Sequence, residues 1–559
     1  MVKKWWHNTI GYQIYPKSFQ DTNGDGIGDL KGVTAHLDDL ADLGINVIWL
    51  CPINKSPMKD HGYDISDYEE IDPMFGCKDD LVELIQEADK HGIKILMDLV
   101  VNHTSVEHPW FQKALAEPNG KYGKYYIIKE GKDGREPNNW RSIFGGSAWE
   151  QIENTNLYYL HLFTKWQPDL NWENPILREK IYEMVNGWLD LGIKGFRIDA
   201  ISHLKKDFTY QDLPSDGIDG YVDGFPYFSN VNGIGDFLAE LRERTFARYD
   251  AMTIGEVDEG LPPDILLDFI GENGYFSTIF DFCHAKFLIN SAQWKGSLTE
   301  MIDALKKCLF AKQNTINGKG MLCNYLENHD LPRIVERFIP EEEIDFYSKS
   351  MTGSINFFMP GIVFLYQGQA IGMMNYKKES ITAFQDPTTF TQYTEYLKNG
   401  MTEAEALAQI NLETREHART PMQWTSEPYA GFSKSKPWFA VNPNYKQINY
   451  ESQKNDPDSL YSFYKKMVAL RKSETYQDLF IYGDIVPMYE TESGIIGYER
   501  RLNNKSVLIV INAKPNETVL LLSRKIKGVL LSNYKKIRLQ DDVLRLQRFQ
   551  ILVLDSDKN

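Results

Sequence analysis

Residues 195–203 read GFRIDAISH. The run before them, Ile181 to Ile193, has the spacing of an amphipathic helix, so Gly195 to Ile198 are expected to form the next buried strand. That strand ends on Arg197 and Asp199. Buried ionisable groups are costly to desolvate unless they are paired or put to use, so the two residues need a reason to be there.

Working outward, similar apolar runs recur as IGYQIYP, INVIWL (45–50), IKILMDLVV (93–101), AMTIGEV (251–257), TIFDF (278–282), MLCNYL (321–326) and GIVFLY (361–366). Amphipathic stretches such as VTAHLDDLADLG and KDDLVELIQEADKHG separate most of them. Strand and helix patterns in alternation imply βαβ units and a parallel sheet, and eight such strands imply closure. The expected fold is therefore α/β, a (β/α)8 TIM barrel over residues 1–103 and 172–479. Residues 104–171, rich in Pro, Asn, Gly and Trp, break the rhythm and read as a small domain inserted after strand three. From residue 480 to 559 short alternating strands, as in GIIGYERR and SVLIVINA, predict a C-terminal antiparallel β-sandwich domain.

Composition narrows the partners. The 559 residues carry a net charge of −17 without a Lys/Arg-dense segment, so a nucleic-acid backbone or anionic membrane would be repelled and a small neutral substrate is favoured. Aromatic residues reach 13 %, and those not used in cores would suit stacking on sugar faces. The opening MVKKWWHNTIGYQIYP has no apolar stretch of signal-peptide length, and no segment approaches the roughly 18 apolar residues of a membrane span. A cytoplasmic protein, monomeric or weakly homo-oligomeric, is expected. The cysteines Cys51, Cys77, Cys283, Cys308 and Cys323 are scattered among mostly apolar neighbours and read as buried free thiols, without a zinc or redox motif.

In a closed parallel barrel the carboxyl ends of the strands gather at one mouth. Strand three ends in VVNH (Asn102, His103), strand four in RID (Arg197, Asp199), strand five in GEV (Glu256), and strand seven runs into ENHD (His329, Asp330). Taken singly, Asp199 or Asp330 reads as a helix cap and Glu256 as a solvated loop residue. Together they place three carboxylates at one mouth with Arg and His beside them. Such a set suits glycosidic bond cleavage, where an ionised carboxylate attacks and a protonated one donates to the leaving oxygen. Arg197 is expected to hold Asp199 as the anion by charge pairing. Glu256, preceded by apolar MTIG and without an adjacent cation in the sequence, is expected to keep a raised pKa through desolvation. His103 and His329 suit hydrogen bonding to hydroxyls; no third ligand beside them supports a metal role.

With those residues in view, the chain resembles glycoside hydrolase family 13, the α-amylase superfamily, in its oligo-1,6-glucosidase and α-glucosidase branch. The family's signature regions are matched by DLVVNH (98–103), GFRIDAISH (195–203), GEV (255–257) and ENHD (327–330), with QPDLN (167–171) in the inserted segment. The resemblance implies that Asp199 is the nucleophile, Glu256 the general acid/base and Asp330 the transition-state stabiliser, with retention of configuration. It also implies that Asp60 and Tyr63, in KDHGYDISDY, hold the terminal glucose and that Arg415, in REHARTPMQW, closes the pocket floor, giving exo-attack on short oligosaccharides.

The loop DTNGDGIGD (21–29) sets oxygens of Asp21, Asn23, Asp25 and Asp29, with the carbonyl of Ile27, at alternate positions, as a hard cation requires. It lacks an EF-hand's acidic twelfth ligand, since position 32 is Gly, but the resemblance implies a structural Ca²⁺ or Mg²⁺ and no organic cofactor. After the nucleophile, α-1,6-specific relatives generally carry Val and α-1,4-specific ones Thr. Here the residue is Ala200, which leaves the linkage open and is consistent with a relaxed preference. Ala370, where an acidic residue is common, has no functional account. The leading expectation is a retaining exo-α-glucosidase on α-1,6-linked isomaltose, isomalto-oligosaccharides and panose. The alternatives are a maltase-type enzyme, a trehalose-6-phosphate hydrolase, against which Pro168 and the acidic balance argue, a sucrose isomerase, whose RLDRD-like loop is missing, and a non-catalytic partner protein on the same fold.

Overall fold

The computed structural model describes residues 2–557 apart from 216–218, 258–260, 262, 290, 292–293 and 317. Eight strands carry the expected runs: β1 (Ile10–Ile14), β2 (Val47–Leu50), β3 (Lys94–Leu99), β4 (Gly195–Ile198), β5 (Met252–Val257), β6 (Thr278–Asp281), β7 (Cys323–Asn324) and β8 (Ile362–Tyr366). They form one parallel sheet hydrogen-bonded in the order β6-β5-β4-β3-β2-β1-β8-β7. This is the cyclic order of a barrel; among the described residues the one seam without strand pairing lies between β6 and β7. There a side chain spans the gap: Thr278 Oγ1 donates to the Met321 carbonyl at 2.8 Å.

The helix before β4 shows how local sequence fixes position. Helix α1 (Pro175–Leu191) starts with Pro at its first turn, its Asn174 cap accepts from the Ile176 N–H, and it ends at Gly192 with φ 120°. Its apolar stripe, including Ile181, Val185 and Trp188, is buried against the barrel wall. The chain then enters β4 through Gly195, φ 154°, where a Cβ would stand 1.7 Å from the Met252 carbonyl oxygen of β5. Only glycine lets the two strands lie this close. Their register pairs Arg197 with Ile254 and Ile198 with Gly255, so the next residues on the two strands, Asp199 and Glu256, emerge side by side.

Between β3 and α1 the chain folds a three-stranded antiparallel sheet, with Leu157–Leu160 between Ile128–Glu130 and Trp149–Gln151. Isolated bridges from His103 to Asp169 and from Tyr126 to Leu170 tie its ends to the barrel mouth. From Asp484 onward five-stranded and three-stranded antiparallel sheets follow. Buried Arg500 anchors this part to the barrel side by donating to the Phe358 and Phe480 carbonyls at 2.6 and 3.0 Å.

The thiol expectation needs correction. Cys283, just after β6, and Cys308, on helix α2 (Leu298–Ile316), are joined as a disulfide with Cα atoms 6.7 Å apart, and Cys77 is exposed. Sequence spacing carries no information on which strand end packs against which helix face, so this pairing was not readable. Cys51 and Cys323 are buried as expected. Among the described residues no helix is long and apolar enough to cross a membrane.

Candidate active site

At the mouth of the barrel a single guanidinium organises three acids. Arg197, 2 % exposed, donates through Nη1 to Asp98 Oδ1 at 3.0 Å and to Asp199 Oδ1 at 2.5 Å, while its Nη2 pairs with Glu256 Oε1. The other Glu256 oxygen accepts from the Ala200 N–H at 3.0 Å. Ala200 presents that N–H from a left-handed conformation, φ 48° and ψ 37°. Strain of this kind costs on the order of 1 kcal/mol and is characteristic of functional sites.

One positive charge cannot neutralise three carboxylates, so the set favours keeping a proton. Burial pushes Glu256 up to about 7; Arg197 opposes this, and the neighbouring Asp199 and Asp330 reinforce it. Burial likewise outweighs Arg197 at Asp199, pushed up to about 6, and at Asp98, also about 6. Two expectations are corrected here. Glu256 does have a cation beside it, supplied by the neighbouring strand rather than by its own sequence. Arg197 does not hold Asp199 in the ordinary carboxylate range, because burial outweighs its charge and the neighbouring Asp98 adds to the rise. The order survives, with Glu256 keeping its proton to higher pH than Asp199.

A second guanidinium builds the other side. Arg415 reaches Asp330 Oδ1 and Asp60 Oδ1, each at 3.1 Å, and is clamped through Nε and Nη2 by the fully buried Asp386. Arg419 donates to Asp330 Oδ1 at 2.9 Å and to the His329 carbonyl at 3.1 Å. Although burial opposes it, His329, Arg415 and Arg419 hold Asp330 well below the usual carboxylate range. Asp60 is pushed up to about 6 by burial, against Arg415, and its Oδ2 accepts from Gln167 Nε2 at 3.0 Å.

The histidines join the two sides. His329 Nδ1 lies 2.8 Å from the Gln13 amide nitrogen and accepts its N–H. This leaves Nε2–H to face Tyr63 Oη at 2.7 Å and Asp330 Oδ2 at 3.0 Å. Tyr63 in turn donates to Asp98 Oδ2 at 3.0 Å. Burial lowers His103 to about 4, so its ring is neutral near pH 7; its Nε2 lies 3.0 Å from the Tyr63 carbonyl and from Gln167 Nε2.

These groups surround a cavity of about 540 Å³. Of the expected site residues, Asp60, Tyr63, His103, Asp199, Glu256 and Asp330 line it together with Arg415. Arg197, His329 and Ala200 are buried behind the lining and act through it. Sequence reasoning missed Asp98 and Arg419, although DLVVNH and REHARTPMQW contain them, and it missed Asp386 entirely. It also missed helix α3 (Pro387–Lys398), whose Thr388, Thr391, Gln392 and Glu395 form one wall. The Asp386-Pro387 pair is a cap-and-first-turn signal that predicts a helix start there. Nothing local to it says that the helix lies over the barrel mouth.

In the 21–29 loop the five expected oxygens are present and chemically suited to a hard cation. The carboxylates also accept from the loop's own backbone: Asp21 from Gly24 and Gly26 N–H, Asp25 from Ile27 N–H, Asp29 from Thr22 and Gly32 N–H. Asn23 accepts from the Asp25 N–H at 2.9 Å. Among the described residues no three His, Cys, Asp or Glu side chains are gathered as a metal cluster. The loop is therefore self-supporting, with spare lone pairs on its carboxylates.

A parallel barrel with paired carboxylates at its mouth and a sugar-sized cavity defines a glycosidase-like site. Residues 13–479 match the model of the alpha amylase catalytic domain, and the chain belongs to that family of glycoside hydrolases. It is 44 % identical to the probable oligo-1,6-glucosidase 3 of Bacillus subtilis (strain 168) over 92 % of this chain and 91 % of the relative. It is 40 % identical to the oligo-1,6-glucosidase of Parageobacillus thermoglucosidasius over 99 % of this chain and all of the relative. Among solved structures, trehalose-6-phosphate hydrolase of Bacillus licheniformis superimposes over the full length of both chains with a TM-score of 0.90 at 37 % identity.

Proposed function

We propose that the protein is a retaining, exo-acting α-glucosidase that releases glucose from the non-reducing end of short α-1,6-linked glucosides such as isomaltose, isomalto-oligosaccharides and panose. In this reading Asp60, Tyr63 and Arg415 hold the terminal glucose at the closed end of the cavity. Asp199 attacks the anomeric carbon, and Glu256 gives its proton to the leaving oxygen. A covalent glucosyl-Asp199 ester forms; water, deprotonated by the same Glu256, then releases glucose with its configuration kept. Asp330, held ionised by His329, Arg415 and Arg419, stabilises the positive charge that develops at the anomeric carbon and ring oxygen.

The observation that carries the reading is the shared guanidinium. Asp199 and Glu256 reach the two ends of Arg197, which suits the carboxylate spacing of roughly 5–5.5 Å required for retention. Names of the relatives favour the α-1,6 bond, and the small Ala200 favours a relaxed preference that also admits maltose. Glucose release from isomaltose, panose, maltose and trehalose 6-phosphate tests the ranking, with NMR of the first-formed anomer testing retention. Loss of about 10⁴-fold in kcat/KM is expected for Asp199→Ala. Preserved turnover in that variant, or β-glucose as first product, overturns the assignment.

The proposal includes a structural Ca²⁺ or Mg²⁺ on Asp21, Asn23, Asp25, the Ile27 carbonyl and Asp29, supported by the oxygen donor set. The cation would bind this loop and take no part in the chemistry. A cytoplasmic location and a monomeric or weakly associated state complete it; light scattering after size exclusion tests the latter.

A further inference from the structure

The cavity has a buried inner end at Asp60 and Tyr63 and an exposed outer end, where Gln392 and Glu395 of α3 face the turn at Phe144 and Gly145 of the inserted segment. The two walls nearly touch there. A Cβ on Gly145, φ +92°, would stand 2.8 Å from Thr391 Cγ2 and 3.4 Å from Glu395 Oε1. The Glu395 carboxylate thus hangs across the rim against the opposite wall. Among the described residues it takes part in no hydrogen bond or ion pair.

Charge makes that carboxylate consequential. Two guanidinium groups line the cavity, Arg141 and Arg415. Arg415 is matched by Asp60, Asp330 and Asp386, and Arg141 by Asp219 at 2.7 Å. Neither brings a surplus positive charge to an incoming ligand, and Glu395 adds an unmatched negative one at the exposed end. If the terminal glucose occupies the inner end, as the α-glucosidase reading on which this rests requires, the leaving sugar lies toward the outer end, beside the rim where Glu395 meets Gly145.

We propose that Glu395 is the specificity-determining residue for the leaving sugar: its carboxylate accepts hydrogen bonds from that sugar's hydroxyls and turns away sugars carrying a phosphate. The fold is shared with a trehalose-6-phosphate hydrolase, so a device at the rim is needed to separate neutral from phosphorylated substrates. Sequence inspection passes over Glu395, which sits in an ordinary amphipathic helix. A hydrogen bond from a hydroxyl to a charged acceptor is worth about tenfold or more in binding.

The test measures kcat/KM of the wild type, Glu395→Gln and Glu395→Lys on isomaltose, p-nitrophenyl α-glucoside and trehalose 6-phosphate. Glu395 is exposed, so both variants are expected to fold, as circular dichroism will check. Glu395→Gln should cost isomaltose about tenfold more than it costs the nitrophenyl glucoside, whose leaving group has no hydroxyls. Glu395→Lys should raise the ratio of trehalose 6-phosphate to isomaltose turnover at least tenfold. Equal factors on isomaltose and the nitrophenyl glucoside, or an unmoved phosphate ratio, overturn the inference while leaving the glucosidase reading intact. A wild type inactive on both neutral glucosides defeats that reading itself.

Discussion

Replacing Arg197 by Gln removes the one cation shared by Asp98, Asp199 and Glu256. Each contact, at an effective dielectric near 20 and a separation near 4 Å, is worth about 4 kcal/mol before relaxation. At about 1.4 kcal/mol per pKa unit, and with the acids free to share protons, we expect the Asp199 carboxyl to rise by roughly two units. In the wild type the productive form, Asp199 ionised and Glu256 protonated, is most populated between about pH 6 and 7. The pH profile of kcat/KM should be a narrow bell with limbs there. In the variant the acid limb should move toward pH 8, so that kcat/KM at pH 6.5 falls by roughly 20-fold and recovers in part on the alkaline side. Global stability changes as well. Both acids have native pKa values above their unfolded ones, so the native state binds more protons between about pH 4 and 7 and stability declines as pH rises through that window. Without Arg197 this decline should steepen, with about 3–5 kcal/mol lost near pH 7 in urea titrations. A drop in rate with the acid limb unmoved would show that Arg197 only supports packing, and the charge-sharing account would fail.

Asp386 both caps α3, accepting from the Thr388 N–H at 3.0 Å, and clamps Arg415 and Arg419. Asp386→Asn keeps a cap but leaves two buried cations short of a partner. About 3 kcal/mol or more of stability should be lost in urea titration, together with a several-fold rise in KM for isomaltose. Asp386 is held well below its usual pKa, chiefly by Arg415 and Arg419 against the opposing effect of burial, so its contribution is present above about pH 4 and lost on further acidification. Gly195→Ala forces a Cβ into the Met252 carbonyl and should pry β4 from β5, costing at least about 3 kcal/mol and separating Asp199 from Glu256. Chelation by EDTA should lower the thermal midpoint by several degrees, restored by Ca²⁺ and abolished in Asp21→Ala; an indifferent midpoint would leave the 21–29 loop a polar turn.

Much of the barrel was legible in the chain because buried strands and amphipathic helices leave periodic traces, and the eight apolar runs coincide with β1–β8. The candidate acids were legible for a related reason: a charged residue at or shortly after the end of an apolar strand has few structural uses, and Asp199 and Glu256 stand there, with Asp330 six residues beyond β7. Arg197 was visible too, but its sharing was not. Charge pairing across adjacent strands depends on register, and the residues that meet at Arg197 are separated by 99, 2 and 59 positions. The same holds for Cys283 with Cys308 and for Asp386 with Arg415, whose proximity is set by packing between elements.

By itself, then, the order of residues determined which side chains would stand at strand tips, since alternation and helix periodicity are short-range consequences of backbone geometry. Tertiary structure alone decided that one guanidinium is shared by three acids, and that α3 and the inserted segment meet over the cavity at Glu395 and Gly145. Electrostatic energies vary with distance and burial, and neither quantity exists until the chain has closed on itself.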